Sequence, residues 1–196
     1  EDSELARLIA LGDRAAFRDF VESHKRPIYA LAYRMAGNHD DAEDISQDVF
    51  IKIFRSAAAY DGSARLSSWV YRITANTAID HLRRKRQVPP EFREVPIDDP
   101  GQGAARDEVV SGRNPAREAE SRILGRRIER ALAAVSERER AAFILRHYHD
   151  LDLKEIAEAM DISLGAVKSY LFRAVRKLQK ELGPAAARRP AEVFHD

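Results

Sequence analysis

Apolar positions recur at helical spacing through most of this chain. In "SLGAVKSYLFRAVRKLQKEL", Ser163 to Leu182, a repeat of about 3.6 residues gathers Val167, Leu171, Ala174, Val175 and Leu178 on one stripe. Lys168, Ser169, Arg173 and Arg176 gather on the other side, and Phe172 falls among these bases. "DDAEDISQDVFIKIFRS", Asp40 to Ser56, repeats the pattern, with Ala42, Ile45, Val49 and Ile53 as the inner stripe. Opposite them lie Asp44, Asp48 and Arg55, with Gln47 at the margin and Ile51 among them. Strand-type alternation is missing, and Ala, Leu, Glu and Arg dominate, so the pattern predicts an all-α protein. Helices are expected over 2–11, 13–36, 39–57 and 67–86, and again over 119–134, 137–149, 153–160 and 164–182. Gly37 closes the second and Asn38 caps the third, while "SERE", Ser136 to Glu139, fits a capping box.

The periodicity stops between Gln87 and Glu120, where five of the eight prolines and three of the nine glycines lie. A stretch so long and so poor in large apolar residues reads as a flexible linker rather than a loop inside one domain. The expected organisation is two small helical domains, 1–86 and 119–182, joined by a linker over 87–118 and followed by a disordered tail over 183–196.

Composition narrows the class. Of 196 residues, 44% are hydrophobic and 33% charged, and no apolar run approaches the roughly 18 residues of a membrane span, so no membrane insertion is expected. No N-terminal stretch reads as a signal peptide. The absence of cysteine excludes a disulfide scaffold and any thiolate zinc site and suits a cytoplasmic setting. The net charge of +1 conceals segregation. Asn38 to Asp48 carries five acids and no Lys or Arg, His81 to Arg86 carries four bases and no acid, and Lys168 to Lys180 carries five bases and no acid. Opposed blocks of this kind suit several partners of different sign.

"LKEIAEAMDISLGAVKSYLFRAVRKL", Leu153 to Leu178, has helix-turn-helix form. A short helix carries Ile156, Ala157 and Met160, a turn holds Asp161 and Ile162, and Ser163 caps a second helix into which Val167 and Tyr170 point back. Ala157 lets the helices cross closely, and Asp161 stands where such turns often place Gly. The outer face of the second helix is left for a DNA major groove. Lys168, Arg173 and Arg176 suit phosphates or guanine edges, Ser169 suits either, and Phe172 suits a thymine methyl. Phe172 packed on the unit's other helices is the alternative. Lys177 and Lys180 lie nearer the edge.

The N-terminal unit has two further faces. Asp41, Asp44 and Asp48 stack at i, i+3 and i+7 beside Ile51, a surface for a basic protein partner. Acids favourable to the helix dipole account for Asp40, Asp41 and Glu43 but not for Asp48. In "SSWVYRITANTAIDHLRRKR", Ser67 to Arg86, the residues Trp69, Ile73, Asn76 and Asp80 share one side. Polar groups in line with a Trp are hydrogen-bonded or face a ligand. The basic end suits a nucleic-acid backbone, and the loop "YDGSARL", Tyr60 to Leu66, could cradle an unstacked base.

Taken in order, "DAEDISQDVFIKIFR", "WVYRITANTAIDHLRR", the linker and "VSERERAAFILRHYHDLDLKEIAEAMDISLGAVKSYLFRAVRKL" resemble the extracytoplasmic-function (ECF) sigma factors of bacterial RNA polymerase, in the sigma-70 family. The resemblance runs from about Ala15 to Leu182. It implies that Asp44, Gln47, Asp48 and Ile51 dock on core polymerase, whose β′ clamp and β subunits are the partner surfaces. It implies that Tyr60, Asp61, Ser63, Ala64, Arg65, Asn76, Asp80, Arg83, Arg84 and Arg86 belong to −10 recognition, which captures a flipped base. For the −35 duplex it implies Ser163, Gly165, Ala166, Lys168, Ser169, Phe172, Arg173 and Arg176. Promoter DNA and an inhibiting anti-sigma factor are the further partners implied, with no cofactor, no metal and no catalytic residue.

Two other classes compete. A helix-turn-helix regulator independent of polymerase would leave the Asp44/Asp48 face without a purpose. A metal-dependent hydrolase built on "HDDAED", His39 to Asp44, would need ligands converging from more than one element. His147 and His149, two apart on a helix, do not form a chelate.

Overall fold

A computed structural model describes residues 2–87, 131–132 and 134–182. The N-terminal unit holds α1 (Asp2–Ala10), α2 (Arg14–Ala36), α3 (His39–Ser56), a 3-10 turn (Ala57–Ala59) and α4 (Leu66–Gln87). The C-terminal unit holds α5 (Glu137–Tyr148), α6 (Leu153–Met160) and α7 (Leu164–Leu182). Each of these helices falls within a residue of its predicted bounds. The predicted linker, most of the helix expected over 119–134 and the tail lie outside the described residues.

The ends are set by side chains. Asp13 caps α2 by accepting from the amides of Ala15 and Ala16. Gly37 ends α2 at φ 80°, a left-handed position that glycine takes without strain, and its N–H donates to the Tyr33 carbonyl at 2.7 Å. Asn38 then caps α3 by accepting from the Asp41 amide at 2.9 Å. Asp152 and Glu155 form a capping box on α6.

The inner stripes are buried as their spacing requires. Phe20, Ile28, Leu31 and Met35 of α2 pack on Ile45, Val49 and Ile53 of α3 and on Val70 and Ala78 of α4. The same apolar cluster continues into Ala141, Ile144 and Leu145 of α5, Ile156, Ala159 and Met160 of α6, and Val167 and Leu171 of α7. A second cluster, with Ala131, Leu132, Val135, Phe143, Ala174, Val175 and Leu178, ties α5 to the C-terminal part of α7.

Helical periodicity carries no information on how the two units sit together. The structure packs α4 on α6 and α2 and α4 on α5. Buried Arg140 of α5 reaches across to the carbonyl of Met35 in α2, and burial lowers its pKa from the ordinary guanidinium value. Arg86 pairs with Glu137, and the Arg34 guanidinium lies 4.3 Å from the centroid of the Tyr148 ring. The rings of Tyr71 and His149 meet at 4.6 Å. His149 Nε2 is buried without a hydrogen-bond partner among the described residues. Burial first, and then the charge of Arg34, lowers the His149 pKa to about 4.

Candidate nucleic-acid and partner interfaces

The helix-turn-helix forms as its sequence dictates. Asp161 ends α6 at φ 52°, ψ 54°, so the turn does require the left-handed conformation, and an aspartate fills it. The Ile162 amide donates to the Ala157 carbonyl at 3.0 Å, and the Ile162 side chain packs under the turn against the core. Ser163 Oγ accepts from the Ala166 amide at 3.2 Å and starts α7. Val167, Leu171 and Ala174 are buried, which fixes the rotation of α7 and turns Gly165, Lys168, Ser169, Phe172 and Arg176 outward. Phe172 is 55% exposed, with the Arg176 guanidinium 5.6 Å from its ring centroid. Its ring is therefore not part of the C-terminal core.

Arg173 and Lys177 occupy the flank of this face. Arg173 Nε lies 2.9 Å from Glu139 Oε1, and Lys177 Nζ lies 2.6 Å from Oε2. Glu139, the third residue of α5, is 5% exposed. Burial raises its pKa, but hydrogen bonds from Lys177 and Ser136 and the charge of Lys177 outweigh that, and the net shift is downward. The predicted capping box is present, with the Ser136 amide 3.4 Å from the same carboxylate. The tie from Glu139 to α7 was not foreseen.

On α4, Trp69 is buried against the Tyr60 ring at 5.4 Å, while Asn76 and Asp80 are exposed. Tyr60 and Asp61 shape the predicted loop. The Tyr60 hydroxyl donates to the Ala64 carbonyl at 2.7 Å, and the Asp61 carboxylate accepts from the amide and hydroxyl of Ser63 at 2.9 and 2.6 Å. Ser63 and Arg65 are exposed and Ala64 is half-buried. Arg83 pairs loosely with Asp80 at 3.8 Å, and Arg84 Nε donates to the Asp80 carbonyl at 3.3 Å. Arg86 is engaged with Glu137 of the other unit. Asn76, Ile79, Asp80 and Arg83 open onto a cleft of about 400 Å³ whose far wall includes Tyr170 and Arg173.

On α3, Asp44 and Gln47 are exposed, Asp48 is half-exposed and Ile51 is 47% exposed, so these four share an open surface. Asp41 does not belong to it. The end of α4 lies over the first turn of α3, and Asp41, 7% exposed, is enclosed there. It accepts from Lys85 Nζ at 2.8 and 2.7 Å and from Asn38 at 2.7 Å, and it contacts His81 Nε2 at 3.1 Å. Burial raises its pKa, and the hydrogen bonds from Asn38, Lys85 and His81 more than offset this. No group of three His, Asp or Glu side chains among the described residues is placed to hold a metal.

Two family profiles match the chain, Sigma-70 region 2 over residues 20–88 and Sigma-70, region 4 over residues 125–178. The ECF RNA polymerase sigma factor SigW of Bacillus subtilis (strain 168) is 33% identical over 172 residues, 87% of this chain and 91% of that protein. The chain belongs to the ECF sigma factors. The SigE factor of Mycolicibacterium smegmatis is 32% identical over 181 residues, covering 88% of this chain and 65% of that protein. Two solved structures share the fold. CnrH, in complex with the cytosolic domain of CnrY, superposes with a TM-score of 0.62 at 22% identity, covering 92% of this chain and 96% of that one. The sigma factor RpoE from Bartonella quintana, in complex with the anti-sigma factor NepR, gives 0.61 at 24% identity, covering 85% and 98%. In this sigma factor, region 2 thus takes in α3 and α4, and region 4 holds the helix-turn-helix. No described helix is long and apolar enough to cross a membrane.

Proposed function

We propose that this sigma factor docks on core RNA polymerase through Asp44, Gln47, Asp48 and Ile51 and opens promoters selected by its two reading faces. The outward face of α7 carries this proposal. Buried Val167 and Leu171 commit Lys168, Ser169, Phe172 and Arg176 to solvent, as a major-groove reader requires. Ser163, Gly165 and Ala166 at its N-terminus suit phosphate. Ser63, Ala64, Arg65, Asn76, Asp80, Arg83, Arg84 and Arg86 serve the −10 element, with Tyr60 and Asp61 holding the loop in shape. The chain contributes binding rather than catalysis, and strand opening draws on binding free energy.

Asn76, Asp80 and Arg83 of the −10 set and Arg173 of the −35 set line one cleft in this arrangement. At about 3.4 Å per base pair, elements near −35 and −10 lie on the order of 80 Å apart. The closed protein therefore engages one element at a time, and core polymerase must hold the two units apart for both to be read. Tethered there, each unit raises the other's effective concentration at the promoter. An anti-sigma factor acting on the closed form is the expected inhibitor, in keeping with the complex reported for the Bartonella quintana factor.

Transcription with core polymerase over a promoter library tests this function. Initiation should depend on both elements, and Phe172→Ala should change −35 preference while leaving the thermal melt nearly unchanged. Asp44→Ala combined with Asp48→Ala should weaken core binding by roughly tenfold, about 1.4 kcal/mol, without loss of helicity. Unchanged core affinity would remove α3 from the docking surface.

A further inference from the structure

We infer that Glu139 is a positioning residue for −35 reading, setting the aim of Arg173 without touching DNA. This rests on the proposal that α7 reads the −35 duplex. An arginine reads a guanine through its two terminal nitrogens, and it does so best when the side chain is already immobilised. Here the Nε side of the Arg173 guanidinium faces Glu139 Oε1 at 2.9 Å, and the guanidinium carbon stands 5.1 Å from the Tyr170 ring centroid. Carboxylate and ring hold the group from two sides. The terminal nitrogens make no hydrogen bond among the described residues, and Arg173 remains half exposed.

Glu139 can act in this way because it is itself held. Its side chain is nearly buried, its other oxygen takes Lys177 at 2.6 Å, and the Ser136 amide approaches the same oxygen at 3.4 Å. A buried carboxylate with these partners has little freedom to follow the arginine, so the arginine follows the carboxylate. The result is a division of labour on one helix. Among the described residues, Lys168, Ser169, Phe172 and Arg176 project from α7 without an acidic partner, whereas Arg173 is braced from α5.

The test is transcription by holoenzyme carrying the full chain over a library of −35 variants, beside binding to promoterless duplex. Glu139→Gln keeps the shape and removes the charge. Discrimination at one −35 base pair should fall roughly tenfold, while binding to promoterless duplex holds or rises, because an acid near the phosphates is gone. A merely structural residue would lower both together. In an Arg173→Ala background, Glu139→Gln should have no further effect on that base pair. Retained discrimination in Glu139→Gln, or the same loss with and without Arg173, overturns the inference. Should Glu139→Gln fail to melt as a folded protein, Arg173→Lys carries the test, since it keeps Glu139 paired but lacks the braced fork. It should lose discrimination, and full retention would refute the role of Glu139. Lys168→Ala and Phe172→Ala separate the two levels. If they alter −35 preference and Glu139→Gln does not, only the positioning role falls. If they too leave it unchanged, the assignment of α7 to the −35 duplex falls and the role of Glu139 with it.

Discussion

Each half of the molecule buries one carboxylate at the third residue of a capped helix, and each uses it to hold basic side chains of a helix proposed to read DNA. Asp41 of α3, behind its cap Asn38, takes Lys85 and His81 of α4. Glu139 of α5, behind Ser136, takes Arg173 and Lys177 of α7. The difference lies in what is taken. In region 2 the anchor cation is Lys85, turned inward, and the candidate −10 bases Arg83 and Arg84 stay outside. In region 4 the anchor includes Arg173, which stands on the flank of the proposed −35 face. On the proposed roles, region 2 separates holding from reading, and region 4 combines them in one side chain.

This contrast can be broken by removing the acids. Asp41→Ala strands Lys85 and His81 at a covered site and should cost about 2–3 kcal/mol in urea unfolding, less than a fully buried pair because Lys85 is partly in water. Glu139→Ala should cost about 1–2 kcal/mol, since both of its partners are half exposed and rehydrate. Equal losses would mean that the two anchors are interchangeable.

Acid asks whether the halves stand or fall together. His149 at the contact between them has its pKa lowered from 6.5 to about 4, so the native protein binds fewer protons than the unfolded chain in that interval. Stability is therefore full above pH 6.5 and declines as pH falls toward 4, by about 1 kcal/mol at pH 5.5. Asp41 and Glu139, both lowered from their ordinary values, add their losses only at lower pH, as protons compete for their carboxylates. Burial lowers the His147 pKa in the same direction, so stability measured from pH 7 to 3 should decline in two stages, and His149→Phe should shrink the first without abolishing it.

The smallest effect sharpens the reading of region 4. Asp161→Gly relieves a left-handed aspartate and should stabilise by about 0.5 kcal/mol. It touches neither carboxylate. If the Glu139→Gln defect were only lost stability, Asp161→Gly should repair part of it, and DNA discrimination should recover in the double variant.

The helices were legible because burial selects one side of a 3.6-residue repeat, and Ala42, Ile45, Val49 and Ile53 are all fully buried as that repeat demands. The outward set on α7 was legible for the same reason. Asp41 was not, because along the chain it lines up with Asp44 and Asp48, and what covers it lies 40 and 44 residues away. Glu139 could be found as half of a capping box, but its partners on α7 lie 34 and 38 positions on, a distance at which local spacing says nothing. A partial signal did exist. Lys177 lies nearer the edge of the basic face, where a cation meets a neighbouring helix, and Arg173 stands one turn before it.

The continuous core has a consequence for how the chain is made. The ribosome delivers α2 and α4 first, and the apolar groups of α6 that cover α4 follow roughly seventy residues later. At about 5–20 residues per second, that face of α4 waits on the order of 4–15 seconds without its cover. A newborn region 2 is therefore open to capture by other chains or by a chaperone during that interval.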